Sequence, residues 1–153
     1  MDTPPSANQD ALLTAVRGAR IEILAFVPLL GNKNLASLLR AAKSERGVKV
    51  YLLTPSESYW NKGSFTGWLS AQGVALYARP KLKSDAFVVI DQRYAFVGPG
   101  VGEPNLLYAQ SLRFIESGPE LTGRYNWAVD QIKGLNPLKF ADQLDKIRPK
   151  SQR

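Results

Sequence analysis

Apolar and polar positions follow two periods that alternate along the chain. Apolar residues three and four positions apart predict amphipathic helices, and shorter continuous apolar runs predict strands buried on both faces. The predicted helices cover residues 7–19, 34–44, 64–71, 119–133 and 137–147, and the predicted strands cover 21–26, 48–54 and 74–78. This alternation is typical of βαβ units, so we predict an α/β fold with a mixed, largely parallel sheet flanked by helices.

A β-hairpin is predicted after the third strand. An apolar run ends in Asp91, a turn follows at Gln92-Arg93, and a second apolar run from Tyr94 reaches the cluster Gly98-Pro99-Gly100. Turn residues between two apolar runs indicate antiparallel strands joined by a short connection. One more strand is predicted over residues 106–116, and residues 56–63 are interpreted as a loop.

The length and composition favour one soluble domain. The chain has 153 residues, of which 44% are hydrophobic, and this is enough to bury a core. We expect a flexible tail over residues 1–6, a single domain over 7–147 and a basic tail over 148–153. Trp68 and Trp127 lie at helical spacing and are assigned to the core. No apolar run is long enough to span a bilayer and no signal segment is evident, so a cytoplasmic location is expected.

The chain contains no histidine and no cysteine. Histidine and cysteine nucleophiles, disulfides and histidine general bases are therefore excluded within the chain, and a metal would have only oxygen ligands. We expect no cofactor and no metal. The net charge of +7 favours an anionic partner, either nucleic acid or an acidic membrane surface.

Three segments follow one another in an informative order. They are the strand entry Arg46-Gly47-Val48-Lys49-Val50, the strand Gly73–Tyr77, and the hairpin with Asp91 between its apolar strands and Gly98 after them. This ordered set resembles the phospholipase D superfamily, in particular its compact single-motif branch of bacterial endonuclease-like proteins. The resemblance covers residues 10–133. It implies a phospholipase D-like single lobe and a homodimer, because single-lobe relatives pair through the motif region.

The resemblance also implies where a catalytic motif would lie. In the superfamily, an HxKxxxxD motif precedes a GSxN-like turn; the His attacks phosphorus, the Lys stabilises phosphate oxygens and the Asp orients a His. Position by position, the motif falls on Ser84, Ala86 and Asp91, and the turn falls on Gly98, Pro99 and Val101. Only Asp91 and Gly98 keep the residue types of the superfamily.

These departures predict that the chain has no catalytic residue. Ser84 has no histidine to activate it, Ala86 carries no charge, and Pro99 lacks a backbone N–H for phosphate. We therefore predict a non-catalytic pseudoenzyme. A phosphodiesterase with atypical catalytic residues, or with residues supplied by a partner, is an alternative. Asp91 is interpreted as a turn carboxylate that accepts hydrogen bonds from the turn backbone.

Basic residues before the hairpin predict a binding surface for phosphate. The predicted set is Arg79, Lys81, Lys83, Arg93, Lys62 and Trp60. The first three lead into the motif strand, where they are placed at the mouth of the former active-site cleft, although a solvated loop is an alternative. Trp60 is available to stack on bases or to pack. The predicted function is binding of the nucleic-acid backbone, with DNA favoured over RNA, and the alternative is a dimeric protein–protein scaffold.

Overall fold

Six strands and five helices form the part of the chain that the structure describes. The structure is a computed structural model, and it describes residues 9–59, 61, 63–102 and 112–138. The strands are β1 Glu22–Phe26, β2 Lys49–Pro55, β3 Ala75–Arg79, β4 Phe87–Ile90, β5 Tyr94–Val97 and β6 Arg113–Ile115. The helices are α1 Gln9–Gly18, α2 Lys33–Arg46, α3 Ser56–Tyr59, α4 Thr66–Ala71 and α5 Pro119–Ile132, with a 3-10 turn at Pro99–Val101.

The strands form one mixed sheet in the order β3-β2-β1-β4-β5-β6. β2 is parallel to both β1 and β3, whereas the pairs β1–β4, β4–β5 and β5–β6 are antiparallel. The strands β1, β2, β3 and β5 consequently point in one direction. We call the edge where these four strands end the carboxyl edge, and the opposite edge the amino edge. The predicted α/β fold with a mixed sheet flanked by helices is confirmed.

Hydrophobic cores lie on both faces of the sheet. Successive side chains of a strand point to opposite faces, so Val88 and Ile90 of β4 face α1, α2 and α4, whereas Phe87 and Val89 face α5. Burial on both faces explains why the strands appear in the sequence as continuous apolar runs without polar alternation.

Caps fix where α2 begins and where α1 and α2 end. The Asn32 side chain accepts a hydrogen bond from the Leu35 N–H at 2.9 Å and caps the start of α2. Gly47 follows α2 with φ of 70°, a left-handed conformation that suits glycine. The Arg46 guanidinium donates to the carbonyl groups of Val16 and Arg17 at the end of α1, where a cation also complements the helix dipole.

Some predicted elements differ from the observed ones. Ser56–Tyr59 forms a helical turn where a loop was predicted, and Trp68 is 39% exposed instead of lying in the core. Of the strand predicted over 106–116, residues 113–115 are in β6, whereas 106–111 lie outside the described residues.

The predicted tails and nearly all of the last predicted helix also lie outside the described residues. Of that helix only residues 137 and 138 are described, and they are not helical. No helix in the described part of the chain is both long enough and apolar enough to cross a bilayer.

The hairpin between β4 and β5 is tied to β1 by Asp91. Its carboxylate accepts hydrogen bonds from the backbone N–H groups of Arg20, Ile21 and Glu22, the shortest at 2.8 Å. Burial alone would raise the pKa of Asp91, but these three donors and the nearby Arg93 hold that pKa below its ordinary value. The predicted bonds to the turn backbone are thus corrected, because the partners are the residues that enter β1.

The turn itself begins one residue earlier than predicted. Asp91 and Gln92 have φ of 52° and 57°, and the Arg93 N–H donates to the Ile90 carbonyl at 2.9 Å. Positive φ at two successive residues is typical of the tight turns that match the twist of a hairpin.

Replacing Asp91 with Ala should lower the free energy of unfolding by about 2 kcal/mol, because three backbone donors lose a charged acceptor. Asp91→Asn should lose less, because it keeps one acceptor oxygen and tolerates positive φ. Urea denaturation at pH 7 measures both differences.

The contribution of Asp91 should also depend on pH. Its folded pKa lies below the ordinary value of 3.8, so the stabilisation is present above that value and is lost as the pH falls through the folded pKa. The difference between wild type and Asp91→Ala should therefore shrink in acid. Equal unfolding free energies at pH 7 would contradict the assigned role.

Thr54 in β2 provides a second stability prediction. Its side chain is 1% exposed, and its hydroxyl has no hydrogen-bond partner among the described residues. Thr54→Val should raise the free energy of unfolding by about 1 kcal/mol, because the desolvated hydroxyl is removed without a change of shape. Thr66→Val is the matched control, since the buried Thr66 hydroxyl has a partner in Ser64 at 3.2 Å. This control should destabilise, and a loss of stability in Thr54→Val would refute the prediction.

Candidate phosphate-binding site at the carboxyl edge

A cavity of about 210 Å³ opens at the carboxyl edge between the loop before β4 and helix α5. Lys83 and Ser84 line it from the loop, and Gly123, Arg124 and Trp127 line it from α5. The loop lies here because β4 runs antiparallel to β1, so that its first residues meet the ends of the parallel strands. The helix lies here because it covers one face of the sheet through Leu121 and other apolar residues.

Arg124 is held from several sides. Its guanidinium donates to the Ser84 hydroxyl at 3.3 Å, to the Asp85 carboxylate at 3.4 Å and to the Glu120 carboxylate at 3.0 Å. The guanidinium carbon also lies 5.8 Å from the centre of the Phe87 ring. The side chain is only 19% exposed, so this cation is positioned before any ligand arrives.

Glu120 competes for the basic groups of the site. It accepts two hydrogen bonds from Arg113, at 3.1 and 2.8 Å, as well as the one from Arg124. The bonds from Arg113, and then the bond from Arg124, lower the pKa of Glu120 to about 2. Glu120 is consequently ionised at neutral pH, and it offsets part of the positive charge of the two guanidinium groups.

Trp127 forms an aromatic wall of the cavity. Its ring packs edge-to-face against Phe26, with ring centres 5.2 Å apart, and against Phe87, with ring centres 6.1 Å apart. These contacts fix the ring while leaving the residue partly exposed at the cavity. The interpretation of Trp127 as a core residue therefore describes only part of its role.

The motif positions Ser84 and Ala86 do not converge on one site. Ser84 is exposed and contacts α5, whereas Ala86 is 9% exposed and packs in the core on the opposite face of the sheet. The Ala86 carbonyl accepts a hydrogen bond from the Gly98 N–H at 2.8 Å, and Gly98 leads into the 3-10 turn that begins at Pro99. Val101, which occupies the position of the motif asparagine, is fully buried.

The structure separates Asp91 and Arg93 from this cavity. Both lie in the turn at the amino edge, and the whole of β4 lies between them and Ser84. At about 3.3 Å per residue, the four residues of this strand span roughly 13 Å. Arg93 is exposed there, beside Asp91.

The other predicted basic residues have different surroundings. Arg79 donates to the carbonyl groups of Gln131 and Lys133, at 2.5 and 3.5 Å, and so caps the C-terminal end of helix α5. Lys81 is exposed, and its backbone N–H donates to Glu57 at 3.0 Å. Lys83 is exposed and lines the cavity. Trp60 and Lys62 lie outside the described residues.

Arg124 was missed by the sequence-based reasoning. The apolar period of α5 identifies the buried face of the helix and assigns no role to an arginine beside it. The available signal was the pair Glu120 and Arg124, four residues apart, next to Gly123. That spacing predicts a helix-surface ion pair but not what lies across from it.

The sequence matches no model of a known protein family and no curated protein, whereas solved structures do match it. Nuc from Salmonella typhimurium, a phospholipase D family member, is 16% identical with a TM-score of 0.72 over 90% of this chain and 94% of Nuc. NucT from Helicobacter pylori is 16% identical with a TM-score of 0.68 over 85% of this chain and 90% of NucT. TrmBL2, an archaeal chromatin protein described with a mode of DNA binding, is 16% identical with a TM-score of 0.61 over 87% of this chain and 51% of TrmBL2.

The prediction that the chain is a pseudoenzyme is wrong. It rests on the absence of histidine and on the side chains at Ser84 and Ala86, whereas the structures that match nearly end to end are those of Nuc, a phospholipase D family member, and NucT. Cleavage of phosphodiester bonds by this protein therefore has to be measured directly.

The predicted phospholipase D-like architecture is confirmed by these matches. The shared part includes most of this chain and nearly all of Nuc, so the sheet and its flanking helices correspond as a single lobe. At 16% identity, this likeness concerns the path of the chain. The protein has the fold of phospholipase D family members.

Proposed function

We propose that the protein binds the phosphate backbone of nucleic acid at the carboxyl edge, through Lys81, Lys83 and Arg124. The observation that carries this proposal is the convergence of Lys83, the Ser84 hydroxyl, Arg124 and Trp127 on one cavity. The net charge of +7 adds a general attraction for polyanions.

The chemistry of the cavity suits a phosphodiester. A guanidinium presents N–H donors in a planar fork that matches phosphate oxygens, and an ammonium adds a point charge. The contacts of Arg124 with Phe87 and Ser84 hold its fork in place, so less side-chain entropy is lost on binding. Trp127 offers a ring beside these cations, and aromatic rings next to basic groups are typical of surfaces that bind nucleic acid.

We also propose that DNA is the preferred nucleic acid and that the protein assembles as a homodimer. The structural similarity to TrmBL2, whose description concerns DNA binding, supports DNA as the first ligand to test. The similarity to a single lobe of the phospholipase D fold supports pairing of two copies. Light scattering in the binding buffer measures the assembly.

Combined replacement of Lys81, Lys83 and Arg124 by Ala should weaken DNA binding and flatten its salt dependence. Each lost phosphate contact should reduce the slope of log K against log salt by about 0.9 for duplex DNA and about 0.7 for single strands. Fluorescence anisotropy with labelled DNA and RNA at a series of KCl concentrations measures both quantities. A denaturing gel of the same samples measures cleavage.

The matched control replaces Lys43, Lys49 and Arg93, which are exposed at the amino edge and carry the same total charge. This control should retain most of the affinity and slope. Equal losses in the two variants would mean that only net charge matters and would refute the site. Absence of salt-dependent binding in the wild type, together with a tight oligomer, would favour the protein–protein scaffold.

Glu120→Gln should increase the affinity for DNA by about threefold to tenfold, because it removes a charged competitor for Arg124 and Arg113. The control is Glu45→Gln, an exposed change of equal charge near the end of α2, which should alter affinity by less than about twofold. Because the pKa of Glu120 is about 2, the wild-type affinity should not rise between pH 7 and pH 5 through protonation of this residue. A decrease in affinity for Glu120→Gln would overturn the proposed competition.

A further inference from the structure

A second cavity, of about 280 Å³, lies on the opposite face of the sheet between the first turns of α2 and α4. Lys33, Ala36 and Ser37 line it from α2, and Phe65 and Trp68 line it from α4 and its preceding residue. The Phe65 N–H donates to the Leu30 carbonyl at 2.8 Å, which fixes this corner to the loop that leaves β1. The cavity therefore also lies near the carboxyl edge.

Trp68 has a large exposed fraction for an apolar side chain of its size. It is 39% exposed, although its neighbour Leu69 in the same helix is fully buried. Phe65 packs edge-to-face against it, with ring centres 6.3 Å apart and planes at 79°. A ring that is held in place at a cavity and yet open to solvent provides a surface for stacking a planar ligand.

One basic side chain, that of Lys33, lines this cavity among the described residues. The first turn of α2 contains Lys33 and no acidic residue, although the positive end of a helix dipole favours acidic side chains there. No aspartate or glutamate is among the residues that line the cavity in the described part of the chain. Ser37 adds a hydroxyl that both donates and accepts hydrogen bonds. The surroundings of Trp68 thus favour a ligand that is both planar and anionic.

We infer that this cavity binds one unpaired nucleobase, stacked on Trp68, with a neighbouring phosphate at Lys33. The inference rests on the proposed function and specifies its ligand as single-stranded nucleic acid. The two cavities flank the carboxyl edge from opposite faces of the sheet. A flexible single strand can bend around this edge and reach both cavities. A duplex is too stiff to bend around the edge, and its bases stay paired.

The test compares Trp68→Ala, Trp68→Phe and wild type on three labelled probes of equal length. The probes are single-stranded oligo-dT, an abasic strand with the same phosphates, and a DNA duplex. Trp68→Ala should lower the affinity for oligo-dT by about fivefold to 150-fold, the range measured for loss of one base–aromatic stack. Its affinity for the abasic strand and the duplex should stay within about twofold of wild type, because phosphate contacts are intact. Trp68→Phe should retain most of the affinity for oligo-dT.

Two further variants separate stacking from other effects. Val129→Ala truncates another exposed apolar side chain, on α5, and should leave binding of oligo-dT unchanged. Lys33→Gln should weaken binding of both single strands and reduce the salt slope by about 0.7. Circular dichroism of each variant verifies folding.

The outcomes distinguish this inference from the proposed function. If wild type binds no probe in a salt-dependent way, the proposed function fails and the inference fails with it. If wild type binds and Trp68→Ala matches it on oligo-dT, the base cavity alone is refuted. Equal losses on oligo-dT and the abasic strand would also refute stacking. Loss of an oligomer in Trp68→Ala with unchanged binding of DNA would assign the cavity to a second copy of the chain and overturn the inference.

Discussion

The pairing of β1 with β4 is the interaction on which the rest of the structure depends. It joins the parallel half of the sheet to the antiparallel half, and it places Phe87 opposite Phe26 at one end. At the other end the Asp91 carboxylate accepts hydrogen bonds from the backbone N–H groups of the residues that lead into β1. Because side chains alternate along a strand, a slip of one residue would exchange the two faces of β4 and move the loop before it away from α5. The cavity at the carboxyl edge therefore depends on a contact at the amino edge.

Some of the basic side chains are used by the fold itself and are less available to a ligand. Arg46 and Arg79 donate to the last carbonyl groups of helices, where they contribute to the fold. Arg124 forms ion pairs with Asp85 and Glu120, whose side chains are 62% and 40% exposed, so solvent screens both pairs from the carboxylate side. In the proposed site a phosphate would take the place of Glu120 at the guanidinium, in a charge-assisted bond of the same kind.

The two cavities give the carboxyl edge an asymmetric chemistry. Among the described residues, Lys83, Arg124 and Trp127 line one of them, and Lys33 with the rings of Phe65 and Trp68 lines the other. Open α/β sheets commonly bind ligands outside the ends of their parallel strands, where loops and helix termini are free of sheet hydrogen bonds. In the proposed mode of binding, this edge combines attraction for the phosphate backbone with base stacking, which are the two components of single-strand recognition. The side chains that provide them come from the loop before β4 and from three helix segments.

The sequence by itself determined the order of the strands and of the longer helices, because burial on both faces of a sheet produces apolar runs and amphipathic helices produce a period near 3.6. It also located the hairpin at Asp91, since the turn interrupts two such runs. Only the tertiary structure decided what lies across from each element. Arg124 is 40 residues from Ser84, and Asp91 is 71 residues from Arg20, so no local period reports these contacts. The same limit explains the error on Trp68, whose exposure depends on what packs beside its helix. Periodicity encodes which face of an element is apolar, whereas function depends on which distant side chains packing brings to one edge.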